Sequence, residues 1–285
     1  MGPVGHDLTP PASDLVHTWQ LVHDHHWQVL GEVDLEPTTR TDADEQTRGG
    51  CVPGMVSVVG DMKLDGMTSV ELLQNTTCTD WITRVFPERC AAFDRGAWLQ
   101  VSASLPTRHA AFCIDRFEYP NERRAYPIID VTWNESAALC KEQGKRLCTE
   151  SEWTFACEGE EARPYPEGYA RDPIACVIDR PWRLVDEQAL SPREGHAALM
   201  EIDHLWQGEA SGAHPGCRSA FGVHDLTGNV DEWTSSVSPG ERPSILKGGY
   251  WGPVRARCRP STRAHGPDFS YYQQGFRCCR GLGAG

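Results

Sequence analysis

The chain has 285 residues, enough for one large domain or two small ones, and 39% of them are hydrophobic, low for a helical globule and ordinary for a loop-rich fold. A formal net charge of −13 argues against a nucleic-acid surface and favours cations or basic partners. No apolar run approaches the ~20 residues that span a bilayer, so no membrane span is expected.

The first 50 residues hold no cysteine and differ from the rest, so 1–50 is read as an N-terminal extension and linker, and 51–285 as one domain. The opening "MGPVGHDLTPPASD" shows neither the charged nor the apolar region of a signal peptide. The stretch "DLVHTWQLVHDHHWQVL" (14–30) predicts a short helix burying Leu15, Trp19, Val22 and Leu30. His17, His23, His25 and His26 form either a solvated face or a metal site, and no carboxylate pattern accompanies them. The polar run 36–50 reads as the linker.

"GMVSVV" (54–59) and "AFCIDRFEY" (111–119) alternate like strands. Residues 60–110 between them read as an insertion, with Cys78 and Cys90 closing a local loop. Asn134 is placed as the cap of a helix over "ESAALCKEQ", which Gly144 ends. Thr149 and Glu152 form a capping box for a helix running to Cys157, with Trp153 packed back on Cys148. Residues 158–220, rich in Gly, Pro and charge, predict long loops. Short strands return at "SILKGGYW" (244–251) and "QGFRCC" (274–279). With no βαβ alternation and no repeat, the class is α+β with much irregular structure.

Twelve cysteines at irregular spacing, with no C-x-x-C pair, read as disulfides in an oxidising, extracytoplasmic or secreted setting. Cys258 lies among Arg255, Arg257 and Arg259, charges that would also suit a reactive thiolate. In "FGVHDLTGNVDEW" (221–233), Gly228 and Asn229 make a turn that tolerates positive φ, flanked by the hard oxygen ligands Asp225 and Glu232. Two carboxylates with the carbonyls of Gly228 and Val230 suit calcium better than zinc or iron, and a solvated Asx-type turn is the alternative.

"GKRLCTESEWTFACEG", "FGVHDLTGNVDEW", "LKGGYW" and "QGFRCC" occur in that order and together resemble the domain of formylglycine-generating enzymes, the sulfatase-modifying factors, over roughly 51–285. The resemblance implies a C-type-lectin-like fold, pairing of Cys157 with Cys258 and of Cys140 with Cys278, and a structural calcium ion at Asp225, Gly228, Val230 and Glu232. Cys258 is then half of a disulfide. Cys279 adjoins Cys278 and has Cys148 as a candidate partner. The family's redox cysteines lie between its "GG" and the Arg-rich segment, where this chain has "YWGPVRAR" (250–257) and no cysteine. Tyr250 stands where the family often has serine, and Asp231 where it often has tryptophan. Soft sulfur ligands for copper are therefore missing, and formylglycine-generating activity is not expected. Iron is not expected either, because fifty residues cannot build the helical bundle of the related sulfoxide synthases.

Two functions follow from this. One is a disulfide-stapled binding or scaffold domain for a peptide, protein or glycan, with Asp231, Tyr250, Trp251, Arg255, His265 and Tyr271 as surface candidates beside Phe269 and Tyr272. For each of these aromatic residues a place in the core is the competing assignment. The other is a metal-dependent oxidoreductase with altered chemistry in the same cleft, drawing on His224, His265, Asp231 or a free Cys279.

Overall fold

The computed structural model describes residues 15–31, 50–83, 86–238 and 240–283; the N-terminal coil and most of the linker expected over 36–50 lie outside them. Residues 15–30 are not a helix. They form a hairpin of β1 (Trp19–Val22) and β2 (His26–Val29), with His23 and Asp24 at φ of +51° and +63° in the turn. Trp27 and Val29 are buried and Leu30 is exposed, a period of two instead of 3.6. The hairpin is held by the rest of the chain. Asp203 accepts hydrogen bonds from the backbone N–H of Val16 (2.7 Å) and His17 (3.0 Å) and from Trp19 Nε1 (2.8 Å). Trp27 exchanges backbone bonds with Ile129. Isolated helices of this length are marginal in water, so such tertiary partners decide the conformation.

The strand at 54–59 extends to β3 (Met55–Lys63), paired antiparallel along its length with β6 (Thr107–Asp115). The insertion between them is therefore shorter than 60–110. It carries α1 (Val70–Asn75), β4 (Cys78–Ile82), β5 (Arg89–Phe93) and α2 (Arg95–Val101). Next comes α3 (Trp133–Glu142), capped by Thr132 and not by Asn134. Thr132 and Glu135 form a capping box, in which the backbone N–H groups of these two residues are satisfied reciprocally. β7 (Arg146–Leu147) leads to α4 (Glu150–Glu158), whose capping box is Thr149 with Glu152. The expected loop region 158–220 contains one helix, α5 (His196–Leu205). The chain ends through β8 (Asp231–Ser235), β9 (Ser244–Lys247), β10 (Ser261–Thr262), β11 (Gln274–Phe276) and β12 (Cys278–Gly281).

Two four-stranded sheets organise these pieces, in the orders β3-β6-β12-β7 and β10-β9-β8-β11. The chain crosses from one to the other at Arg277, the single residue between β11 and β12. Arg277 is fully buried there. Its Nε and Nη2 donate to Glu232 of β8 at 2.7 and 2.6 Å, and Nη1 donates to the carbonyls of Asp115 and Arg116 at the end of β6. One guanidinium thus ties the two sheets.

All twelve cysteines are paired: Cys51–Cys113, Cys78–Cys90, Cys140–Cys278, Cys148–Cys279, Cys157–Cys258 and Cys176–Cys217. Cys278 and Cys279 take different partners because neighbouring side chains of a strand point to opposite faces. Cys278 joins α3 in one core cluster with Trp233 and Phe276. Cys279 joins Cys148 in another with Trp153 and Phe155. A third cluster gathers Trp27, Trp206, Trp251 and Tyr272 under the N-terminal hairpin. Six disulfides persist in an oxidising compartment. Among the described residues no helix is long and apolar enough to cross a membrane.

Candidate binding cleft

The Arg-rich segment is structural at its centre. Cys258 is buried and bonded to Cys157. Arg257 donates to Gln74 Oε1 (2.5 Å) and Asn75 Oδ1 (2.9 Å) and lies 4.7 Å from the Phe93 ring centre, fastening the insertion to the core. Arg259 grips Glu158 through two bonds of 2.6 Å. Only Arg255 is exposed, on the rim of a cleft.

That cleft has a volume of about 1340 Å³. Its floor is the C-terminal end of β9, the first residue of β8 and Gln273–Gln274 at the start of β11. One wall is the segment from His265 to Tyr271, and the turn between β4 and β5 supplies the rim at Phe86, Pro87 and Glu88. Gly248 and Gly249 open the floor. Their φ angles are +91° and +72°, and a Cβ would stand 2.7 Å from the Leu226 carbonyl oxygen and 2.8 Å from Val254 Cγ2 respectively.

Asp231 faces this space and accepts a hydrogen bond from the Gly249 N–H at 3.3 Å. Burial pushes its carboxyl up to about 7, the Glu232 charge adds to the rise, and the Gly249 N–H and Lys247 oppose it. The next residue, Glu232, points the other way to Arg277. Lys247 is 1% exposed and donates to the Arg259 carbonyl at 2.7 Å, so its ammonium is committed to the protein. Burial lowers its pKa to about 8. His265 stacks on Phe269 with centroids 4.1 Å apart and planes at 11°. Phe269 stacks on Tyr271, whose hydroxyl donates to Glu187 at 2.6 Å. Burial raises the hydroxyl pKa of Tyr250 and of Tyr271, so both remain neutral donors at physiological pH.

Of the surface candidates, Asp231, Tyr250, Arg255, His265 and Tyr271 line this one cleft, with Phe269. Trp251 does not. It is 2% exposed and packs edge-on against Trp206 at 4.8 Å, and Tyr272 is buried in the same cluster. His224 is half-buried, with its ring 5.2 Å from that of Phe117, and lies off the cleft, so it does not join His265 and Asp231. Among the described residues no three His, Cys, Asp or Glu side chains converge as a metal site. Sequence reasoning missed Gln273, Gln274 and Glu187. The two glutamines directly precede the "GF" strand and were findable there, whereas Glu187 sits in a loop with no local signal.

The turn at 225–232 is buried. Asp225, Gly228 and Asn229 have φ of +58°, +83° and +53°. Asp225 accepts from the Gly212 N–H at 2.8 Å, and Glu118 accepts from Asn229 Nδ2 (2.7 Å) and Ser211 (3.1 Å). Burial raises the Glu118 carboxyl, and the charges of Asp225 and Glu232 raise it further. Burial likewise lifts Asp225 to about 6, although the Gly212 N–H, Arg277 and His214 pull it down. Asp225 offers calcium a hard carboxylate, whereas both oxygens of Glu118 already accept, Oε2 from Asn229 and Ser211 and Oε1 from the Val230 N–H. At Glu232 the fit is poorer, because both oxygens already accept from Arg277 and Oε2 also from Trp153.

The chain matches the sulfatase-modifying factor enzyme 1-like domain over residues 74–282. Inactive C-alpha-formylglycine-generating enzyme 2 of Bos taurus is 30% identical over 171 residues, 57% of this chain and 52% of that protein. Formylglycine-generating enzyme of Bos taurus is 28% identical over 176 residues, 55% of this chain and 44% of that protein. Hercynine oxygenase of Mycolicibacterium smegmatis is 31% identical over 160 residues, 48% of this chain and 33% of that protein. The chain thus spans about half the length, or less, of these curated relatives. Among solved structures, PvdO from Pseudomonas aeruginosa superposes with a TM-score of 0.49 at 17% identity, over 83% of this chain and 100% of that one.

Proposed function

The chain belongs to the sulfatase-modifying factor enzyme 1-like family, and from that premise we propose that it is a divergent member without formylglycine-generating activity, a disulfide-stapled binding domain that takes its ligand in the cleft at Asp231. The sulfur atoms carry this reading: all twelve cysteines are joined in six pairs. Oxidation of a substrate cysteine through protein thiols needs a thiolate as nucleophile or soft metal ligand. The cleft offers Tyr, Asp, His and Gln side chains in its place. A relative of 30% identity that bears the word inactive in its name supports the same reading.

Aromatic faces and amide groups around an open cleft suit a peptide, protein or glycan ligand. An extracytoplasmic compartment belongs to this reading and is supported by the six disulfides, which persist in oxidising surroundings. A structural calcium ion at the Asp225 turn belongs to this reading, held by Asp225 with main-chain carbonyls at Gly228 and Val230, in competition with Arg277 for Glu232. Calcium would supply charge neutralisation and no chemistry of the cleft.

The test has two parts. Alkylation under denaturing, non-reducing conditions should label no cysteine. A cysteine-containing sulfatase peptide incubated with the protein, copper and oxygen should yield no formylglycine. A labelled thiol in the cleft or an aldehyde product overturns the proposal.

A further inference from the structure

The hairpin of β4 and β5 supplies one rim of the cleft, and its two strands are held differently. β5 is fixed to the body of the protein. The Phe93 N–H donates to the Tyr169 carbonyl (2.9 Å), and the Ala91 carbonyl accepts from the Arg171 N–H (2.7 Å). The Cys90 carbonyl accepts from the Tyr165 hydroxyl (2.6 Å), and Arg89 pairs with Asp179 (3.2 Å). β4 has no such footing. Among the described residues it pairs with β5 alone, and that ladder is interrupted by register shifts between Cys78 and Asp80 and between Asp80 and Trp81. Its middle residues Thr79, Asp80 and Trp81 are exposed. Cys78 is the one residue of this strand that packs against a core cluster, and its disulfide to Cys90 is the covalent tie between the strands. A two-stranded hairpin is marginal in water by itself, so β4 keeps its place largely through that bond. Beyond β4, Thr83, Phe86 and Pro87 line the cleft, and Phe86 is 96% exposed, so packing does not hold it there.

The disulfides differ in access. Both cysteines are buried in Cys140–Cys278, Cys148–Cys279, Cys157–Cys258 and Cys176–Cys217, whereas Cys78 and Cys51 are half-buried. Opening Cys51–Cys113 releases no edge, because β3 runs beside β6 along its whole length. Opening Cys78–Cys90 frees β4. Exposed disulfides are the labile and regulatory ones, and buried ones resist thiols. We propose that Cys78–Cys90 is a redox-controlled latch on the cleft, closed when oxidised and released by an external dithiol. A thiolate of the dithiol attacks Cys78 Sγ, the Cys78–Cys90 bond breaks, and the Cys90 sulfur leaves and takes a proton from water. The second thiol of the reductant then displaces Cys78 Sγ, which is protonated in turn. The reductant departs as a disulfide, and two electrons have entered the protein. β4 lifts from β5, the rim at Thr83, Phe86 and Pro87 goes with it, and the cleft opens opposite the wall from His265 to Tyr271. The latch acts on conformation and takes no part in chemistry on a ligand. The proposal rests on the binding reading above and gives its cleft a control.

The experiment exposes the whole protein to graded dithiothreitol under native conditions and identifies opened cysteines by alkylation and peptide mapping. Cys78 and Cys90 should be labelled at a concentration that leaves the four buried disulfides closed. A double variant, Cys78→Ser with Cys90→Ser, holds the released state without reductant. In it, amide exchange over residues 79–82 should be about tenfold faster than in wild type, while the Phe93 amide, bonded to Tyr169, keeps its protection. Hydroxyl-radical footprinting should find Phe269 and Tyr271 of the cleft wall oxidised about twice as fast in the variant, with the buried Trp153 as the constant reference. Opening of a buried disulfide before Cys78–Cys90 overturns the latch without needing any variant, and so does unchanged exchange or an unchanged footprint in the variant. Each of these results leaves the non-oxidising binding reading standing, because that reading fails on thiol labelling of the unreduced protein or on formylglycine formation instead.

Discussion

Replacing Arg277 by methionine tests whether one buried guanidinium joins the two sheets. Arg277 is 0% and Glu232 1% exposed, and two hydrogen bonds of 2.6 and 2.7 Å join them. The variant leaves the Glu232 carboxylate buried against Trp153 Nε1 and deprives the Asp115 and Arg116 carbonyls of a donor. Breaking a buried pair by removing one partner costs about 4 kcal/mol. At ~2.1 cal/mol/K per residue of unfolding entropy, a chain of 285 residues converts that loss into a drop of about 7 °C in melting temperature. Glu232→Gln should cost a similar amount, since it strands the guanidinium. The double variant should lose only about 2 kcal/mol, because no buried charge is then left without a partner. Urea unfolding with disulfides intact, read by tryptophan fluorescence, gives all three values on one scale. A loss below about 1 kcal/mol for Arg277→Met, or a double variant as unstable as the sum of the singles, refutes the junction argument.

Three further outcomes follow from the structure. Calcium at a hundredfold its dissociation constant should stabilise the protein by about 2.7 kcal/mol, raising the melting temperature by ~5 °C over EGTA, and Asp225→Asn should abolish the rise; identical melting in calcium and EGTA rejects the ion. Burial raises Asp130 from 3.8 to about 7, against the opposing Ser270 bond, so the folded state keeps a proton that the unfolded chain releases from pH 4 upward. That acid's contribution is present at low pH and lost as pH rises through 7, by up to on the order of 4 kcal/mol. Asp130→Asn should therefore be stabilising relative to wild type at pH 8 and not at pH 4, measured by calorimetric melts across the range. Asp203→Ala removes the acceptor shared by Val16, His17 and Trp19. Amide exchange should then rise at least tenfold over Trp19–Val29 while β3 and β6 stay protected, and unchanged exchange in the hairpin means that Asp203 does not anchor it.

What the sequence determined is local. Thr149 and Glu152 specify the start of α4 because both capping bonds close within three residues, and Thr132 with Glu135 carried the same legible signature for α3 that the choice of Asn134 overlooked. Alternation placed a strand at 54–59, and the four ordered motifs identified the family. The Arg-rich segment as packing and not as a reactive centre followed only from that resemblance. Tertiary structure decided the rest. Residues 15–30 have an apolar spacing compatible with a helix, yet Asp203, 187 positions from Val16, holds them as a hairpin. Trp251 and Tyr250 are adjacent in sequence and both are buried in one core cluster, but only Tyr250 also lines the cleft. The cleft itself draws Asp231, Gln274, Tyr271 and Glu187 from separate segments. Capping and alternation are satisfied within a few residues and can be read in order, whereas a buried charge or an unpaired acceptor is satisfied wherever the folded chain brings a partner, and one strand's spacing holds no record of that.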